Sequence, residues 1–146
     1  ISVQNGYNLI NRVFDIANSE VSIRENCGLL AYSPLAGGRL TGKYLNDVRP
    51  ENARYTLWPG RFSRHHTARG EKAISKYKEI SEKYGINITD LANAFVLSRP
   101  FLSSSIFGIT SLSQLINNLN CLKLKLTPEI LNQIEQIHIA DPNPCV

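Results

Sequence analysis

Two stretches hold the residues best suited to grip a ligand. GLLAYSPLAGGRLTGKY (28–44) runs from an apolar strand through Tyr32, Ser33 and Pro34 to Gly37 and Gly38, then to Arg39 and Lys43. In parallel α/β proteins, ligands sit beyond the carboxyl ends of the strands. Tyr32 stands at that end and can offer a flat ring to a planar ligand. The glycines let the backbone approach closely and can donate N–H groups to phosphate oxygens. Arg39 and Lys43 would add countercharge. The same pattern also describes an ordinary turn on a solvated surface. SIFGITSLSQLINN (105–118) repeats the arrangement, with Gly108, a short polar turn and a helix whose free N–H groups suit an anion. Here the alternative is a capping box between Ser111 and Gln114.

Other polar residues are weaker candidates. His65 and His66 lie in an irregular stretch without partners at metal-ligand spacing. His138 falls near the end of the last expected helix, where an imidazolium would favour the helix dipole. Glu79, Glu82 and Lys83 read as a solvated helix face, and Cys27 as a packing residue. Neither a Ser-His-Asp nor a Cys-His arrangement nor a carboxylate pair emerges.

The elements that must position these groups follow from periodicity. ISVQNGYNL (1–9) reads as a strand ending at Gly6 and Asn8, and Arg12 to Ile23 as a helix with Val13, Ile16, Ala17 and Val21 inward. GLLAYS (28–33) is a strand buried on both faces. Residues 46–69 form a long irregular segment. A helix is expected over Gly70–Tyr84, with Ala73, Tyr77, Ile80 and Tyr84 on its buried face and Gly85 at its stop. Thr89 is expected to cap the next helix, which buries Leu91, Ala92, Phe95 and Val96 and ends before Pro100. FLSSSIFGI (101–109) reads as a strand. Leu112, Leu115, Ile116, Leu119 and Leu122 trace a helical stripe. Thr127-Pro128 opens a last helix with Ile130, Ile134 and Ile137 inward. This order predicts an α/β fold with parallel strands, and as a complete sheet it looks short.

Composition narrows the class. The chain has 146 residues, 42% apolar and 19% charged, which is globular composition. It has no apolar run long enough for a bilayer, so no membrane role is expected. The net charge of +4 is scattered, without the basic blocks of a nucleic-acid reader. Three cysteines, Cys27, Cys121 and Cys145, without a CxxC pair point to free thiols in a reducing compartment, hence the cytoplasm. The chain contains no methionine and opens within an expected strand, so it reads as a piece of something longer.

VQNGYNLINR (3–12), LLAYSPLAGGRLTGKY (29–44) and GITSLSQLINNL (108–119), in this order and spacing, resemble the C-terminal half of aldo-keto reductases. The likeness is strongest to the branch with bacterial oxidoreductases and potassium-channel beta subunits, and it covers essentially all of residues 1–146. It implies a partial (β/α)8 TIM barrel comprising strands six to eight, their helices and the C-terminal helix. The implied cofactor is NADP(H), used to reduce aldehydes or ketones by hydride transfer.

Carried over by motif, Gln4 would bond the nicotinamide carboxamide and Tyr32 would stack on its ring. Ser33, Pro34, Leu35 and Gly38 would line the pyrophosphate, with charge from Lys43 and from Arg54. Thr110, Gln114 and Asn118 would hold the adenosine 2′-phosphate and adenine. Asn117 replaces a common glutamate, and Gly108 and Gln114 stand where many members carry Lys and Arg. The family's catalytic Asp, Tyr, Lys and His fall in strands this sequence lacks, so Tyr7, Tyr32 and Tyr44 are not assigned as the acid. The expected partners are a nicotinamide cofactor, a small carbonyl substrate in the complete enzyme, and the other half of the barrel in trans. Two alternatives stand beside this: a non-catalytic nucleotide-binding or regulatory module, and a truncated gene remnant.

Overall fold

The continuous apolar run at 28–32 forms the middle strand of a three-stranded parallel sheet. The computed structural model describes residues 1–61 and 63–146. Along the chain come β1 (Ser2–Gly6), α1 (Asn18–Arg24), β2 (Gly28–Tyr32), α2 (Arg54–Leu57), α3 (Ala68–Lys83), α4 (Ile88–Leu97), β3 (Leu102–Ile106), α5 (Leu112–Asn120) and α6 (Pro128–Ala140). β2 lies between β1 and β3, and every crossover is of the β-α-β kind that parallel pairing demands.

Register sets the two faces. Leu29 and Ala31 are fully buried in a core shared with Leu91, Phe95, Ile74 and Ile134. On the opposite face Gln4, Leu30 and Ser104 lie abreast, and one step on Gly6, Tyr32 and Ile106 do the same. The register slips between Leu29 and Leu30, leaving Ser103 as an extra residue in β3. A β-carbon at position 28 would overlap the Ser103 side chain, so this bulge requires glycine there.

Two expectations need correction. The helix expected over 12–23 is broken: Val13–Asp15 is one 3-10 turn, Ala17 takes φ 60°, and α1 starts only at Asn18. Tyr7 and Arg12 both bond Asp15, at 2.7 Å each, and fix that turn separately. Consequently Ile16 and Val21 are exposed, and Phe14 is buried instead. Asn87, not Thr89, caps α4, its side chain accepting the Thr89 N–H at 2.8 Å. The apolar stripe of α5, left without a stated covering by its spacing, is open: Leu112 is 71% exposed, and Ile116, Leu119 and Leu122 also face solvent. The long segment 46–69 holds a 3-10 turn at Leu45–Asp47, α2, and another turn at Ser63–His65, with residue 62 outside the described residues.

The last residues return to the start of the chain. The Cys145 N–H donates to the Ile10 carbonyl (3.1 Å) and the Arg12 N–H to Asn143 Oδ1 (2.6 Å). Thr67 joins this tail to α3, accepting the Gly70 N–H at 2.9 Å and donating to the Pro144 carbonyl at 3.0 Å. Thr67→Ala loses both bonds and is expected to cost about 1–2 kcal/mol. The urea midpoint should fall while the m-value stays constant.

Candidate functional site

The carboxyl ends of the three strands meet at Gly6, Tyr32 and Ile106, which stand side by side across the sheet. Gly6 makes room for Tyr32: a β-carbon there would sit 3.3 Å from Tyr32 Cζ and 3.4 Å from its Oη. The ring therefore lies alongside β1 and stays half-buried at the strand ends. Asn8 ties the two segments, its Nδ2 donating to the Ser33 carbonyl at 3.0 Å and its Oδ1 accepting the Ile10 N–H at 3.0 Å. Asn8 is buried, and sequence reasoning gave it no role beyond ending a strand. Gln4 is exposed on the same sheet face as Leu30 and Ser104.

Beyond Tyr32 the backbone turns sharply, with Ser33, Ala36, Gly37 and Gly38 all at positive φ. Pro34 is buried, while Ser33 and Leu35 are partly exposed. The Gly38 N–H donates to the Leu35 carbonyl at 2.8 Å, so it is not available to a phosphate, contrary to the sequence expectation. Gly37 is needed for packing: at φ 66° a β-carbon would stand 2.9 Å from the Tyr55 hydroxyl. That hydroxyl points to the Ala36 carbonyl (3.5 Å), which brings α2 and exposed Arg54 against the turn. Lys43 is exposed, and its ammonium lies 5.1 Å from the Tyr44 ring centroid. Arg39 differs from the solvated cation expected of it, for it is buried at 4% exposure.

The second cluster is polar and open. Gln114 Oε1 accepts from the Thr110 N–H (3.0 Å) and the Thr110 hydroxyl (3.3 Å). The expected capping box is thus half-formed: Ser111 accepts the Gln114 N–H, but Gln114 reaches Thr110 rather than Ser111. One helical turn further, Asn118 is buried and its Oδ1 accepts from Asn93 Nδ2 at 3.1 Å. Thr110, Gln114 and Asn118 therefore form a line along the start of α5.

The remaining candidates are structural. Tyr7 is fully buried and bonded to Asp15, and Tyr44 is also buried. His65 is buried, and burial, then Arg64 and Arg39, hold its imidazole down at about 4. Burial also lowers His138, which favours a neutral ring over the imidazolium expected at the helix end. All three cysteines are free thiols. Among the described residues no helix is long and apolar enough to cross a membrane.

The sequence model of the aldo/keto reductase family matches residues 1–139. Protein tas of Escherichia coli is 41% identical over 138 residues, covering 94% of this chain and 40% of tas. A putative voltage-gated potassium channel subunit beta of Schizosaccharomyces pombe is 35% identical over 116 residues, 75% of this chain and 33% of the subunit. A glycerol dehydrogenase of Gluconobacter oxydans has a similar solved structure, with TM-score 0.76 and 20% identity. That match covers 97% of this chain and 43% of the dehydrogenase. The chain thus spans less than half the length of these relatives, and its fold is a partial (β/α)8 barrel.

Proposed function

Because the chain belongs to the aldo/keto reductase family, we propose that its strand ends bind NADP(H) for carbonyl reduction in a complete barrel. The observation that carries this reading is the alignment of Gly6, Tyr32 and Ile106, which brings the three candidate segments to one end of one sheet. The residues suit such a ligand. Tyr32 offers a half-buried ring, and Lys43 and Arg54 bring exposed positive charge to the turn after it. Thr110 and Gln114 supply open polar groups to a nucleotide's far end.

When bound, the cofactor would supply hydride to an aldehyde or ketone. The chain's own residues would bind and orient it. Gln4 would hold the carboxamide and Tyr32 would cover one face of the ring. Ser33, Pro34, Leu35 and Gly38 would line the pyrophosphate beside Lys43 and Arg54. Thr110, Gln114 and Asn118 would meet the adenosine 2′-phosphate and adenine. Proton donation to the carbonyl would come from outside residues 1–146, since Tyr7 is fully buried with its hydroxyl bonded to Asp15 and Tyr44 is also buried. The rest of the barrel, in the same polypeptide or in trans, would cover Leu112, Ile116 and Leu119 and complete the substrate pocket. Three free thiols suit a reducing compartment such as the cytoplasm.

Titration with NADPH, followed by its fluorescence, should show saturable binding. Lys43→Ala should weaken it roughly tenfold and flatten its dependence on salt, as loss of a phosphate contact does. Absence of saturation in the folded chain would overturn the reading. The likeness to a potassium channel subunit beta also favours a second reading, a nucleotide-binding module without catalysis. That reading predicts NADPH binding with no oxidation of NADPH by aldehydes, even with the rest of the barrel present. A gene remnant would instead show no rise in Tm with NADPH.

A further inference from the structure

We propose that Arg39 is a positioning residue that holds Lys43 and Arg54 toward one phosphate-bearing ligand. The inference rests on the nucleotide reading above and assigns a role to a side chain that the reading leaves unused.

A guanidinium buried at 4% exposure is costly unless it is well paired. Arg39 has one ionic partner, Glu71, with Nη2 to Oε2 at 3.9 Å, beyond hydrogen-bond length. Its Nε and Nη2 have no hydrogen-bond acceptor among the described residues. A methionine or leucine would fill this space without leaving polar atoms unmatched. What the guanidinium does have is two aromatic rings: its Cζ lies 5.8 Å from the centroid of Tyr44 and 5.8 Å from that of Tyr55. The rings meet edge to face at 4.9 Å. A planar cation can stack on both, which a compact ammonium does less well.

The chain neighbours of these rings give the arrangement its meaning. Tyr44 follows Lys43, whose ammonium lies over the same ring at 5.1 Å. Tyr55 follows Arg54 and reaches the Ala36 carbonyl and the space above Gly37. One buried guanidinium therefore joins the turn that carries Lys43 to the helix that carries Arg54. Without it, two segments separated by about ten residues of irregular chain lose their common brace. The two cations would then sit on a looser frame, and the pyrophosphate end of a dinucleotide would be held less firmly. The adenosine end, at Thr110 and Gln114, has its own supports in α5 and would be unaffected.

The test uses the full chain and two probes, NADPH and adenosine 2′-monophosphate. Arg39→Met should weaken NADPH binding about tenfold and flatten its salt dependence as Lys43→Ala does. The same variant should bind adenosine 2′-monophosphate as the parent does. Arg39→Lys, which keeps the charge and loses the planar stack, should fall between the two. In a Lys43→Ala/Arg54→Ala background, Arg39→Met should change NADPH affinity by less than about twofold, because its effect runs through those cations. Equal losses for both probes, or full additivity, would show general loosening and overturn the positioning role. If Lys43→Ala/Arg54→Ala binds NADPH as tightly as the parent, the nucleotide reading itself fails. Loss in that double variant with none in Arg39→Met refutes only the role of Arg39.

Discussion

Alkaline titration is expected to unfold the chain cooperatively once the pH passes well above 10, with tyrosinate absorbance and loss of ellipticity rising together. Three tyrosine hydroxyls are removed from water. Tyr7 is fully buried, and burial first, then the charge of Asp15 beside it, raise its pKa far above the ordinary phenol range. Tyr77 is buried with its hydroxyl donating to the Leu9 carbonyl at 3.0 Å, and burial raises it similarly. Burial pushes Tyr55 up to about 12. A raised folded-state pKa contributes stability that is fully present below the unfolded value, near 10, and is lost as pH climbs toward the folded one. Above that point the unfolded chain binds fewer protons than the native one, so stability falls. Each group contributes about 1.4 kcal/mol per pH unit, and three together about 4. Two pH units thus remove about 8 kcal/mol, comparable with a total stability of about 5–15 kcal/mol. Tyr7→Phe should make the decline shallower. All six tyrosines ionising at the ordinary phenol pKa, with ellipticity unchanged, would refute the burial argument.

Gly6→Val should weaken NADPH binding by about tenfold or more while leaving the far-UV spectrum intact. Valine suits strand backbone, so β1 itself should tolerate the change. Its cost falls on Tyr32: a β-carbon at position 6 already stands 3.3 Å from the ring, and the two methyls beyond it must displace the ring from β1. Gly6→Ala needs only a shift of a few tenths of an ångström and should cost about two- to threefold. The pair thus grades ring position against affinity. Equal affinity in both variants and the parent would show that the Tyr32 ring is not part of the nucleotide site.

Much of this architecture could be read directly from residues. GLLAY is continuously apolar and becomes the central strand, but it is fully buried on one face only, at Leu29 and Ala31, rather than on both as expected. Ala73, Tyr77 and Ile80 mark the buried face of α3, and Thr127-Pro128 caps α6 as a threonine followed by proline should. What spacing left open was the covering of an apolar stripe. Leu112, Ile116 and Leu119 have helical spacing, yet spacing says only that a face is apolar, not what lies against it. Val13 to Val21 failed because side-chain bonds to Asp15 and the positive φ of Ala17 overrode the periodicity. The site divided in the same way. Tyr32 and Gln114 could be placed from strand ends and helix starts. Arg39 could not, since the distant ring of Tyr55 and the carboxylate of Glu71 help make its burial tolerable.

The tail that returns to Ile10 and Arg12 sets the order in which the molecule can be completed. These bonds join residues more than 130 positions apart. Contacts of such separation carry the largest chain-closure cost and form late. During synthesis the loop after β1 is made more than 130 residues before its partners Asn143 and Cys145. The backbone at Ile10 and Arg12 therefore waits for its far partners until residue 145 has been made. The ribosome, rather than the sheet, decides when this end of the protein acquires its shape.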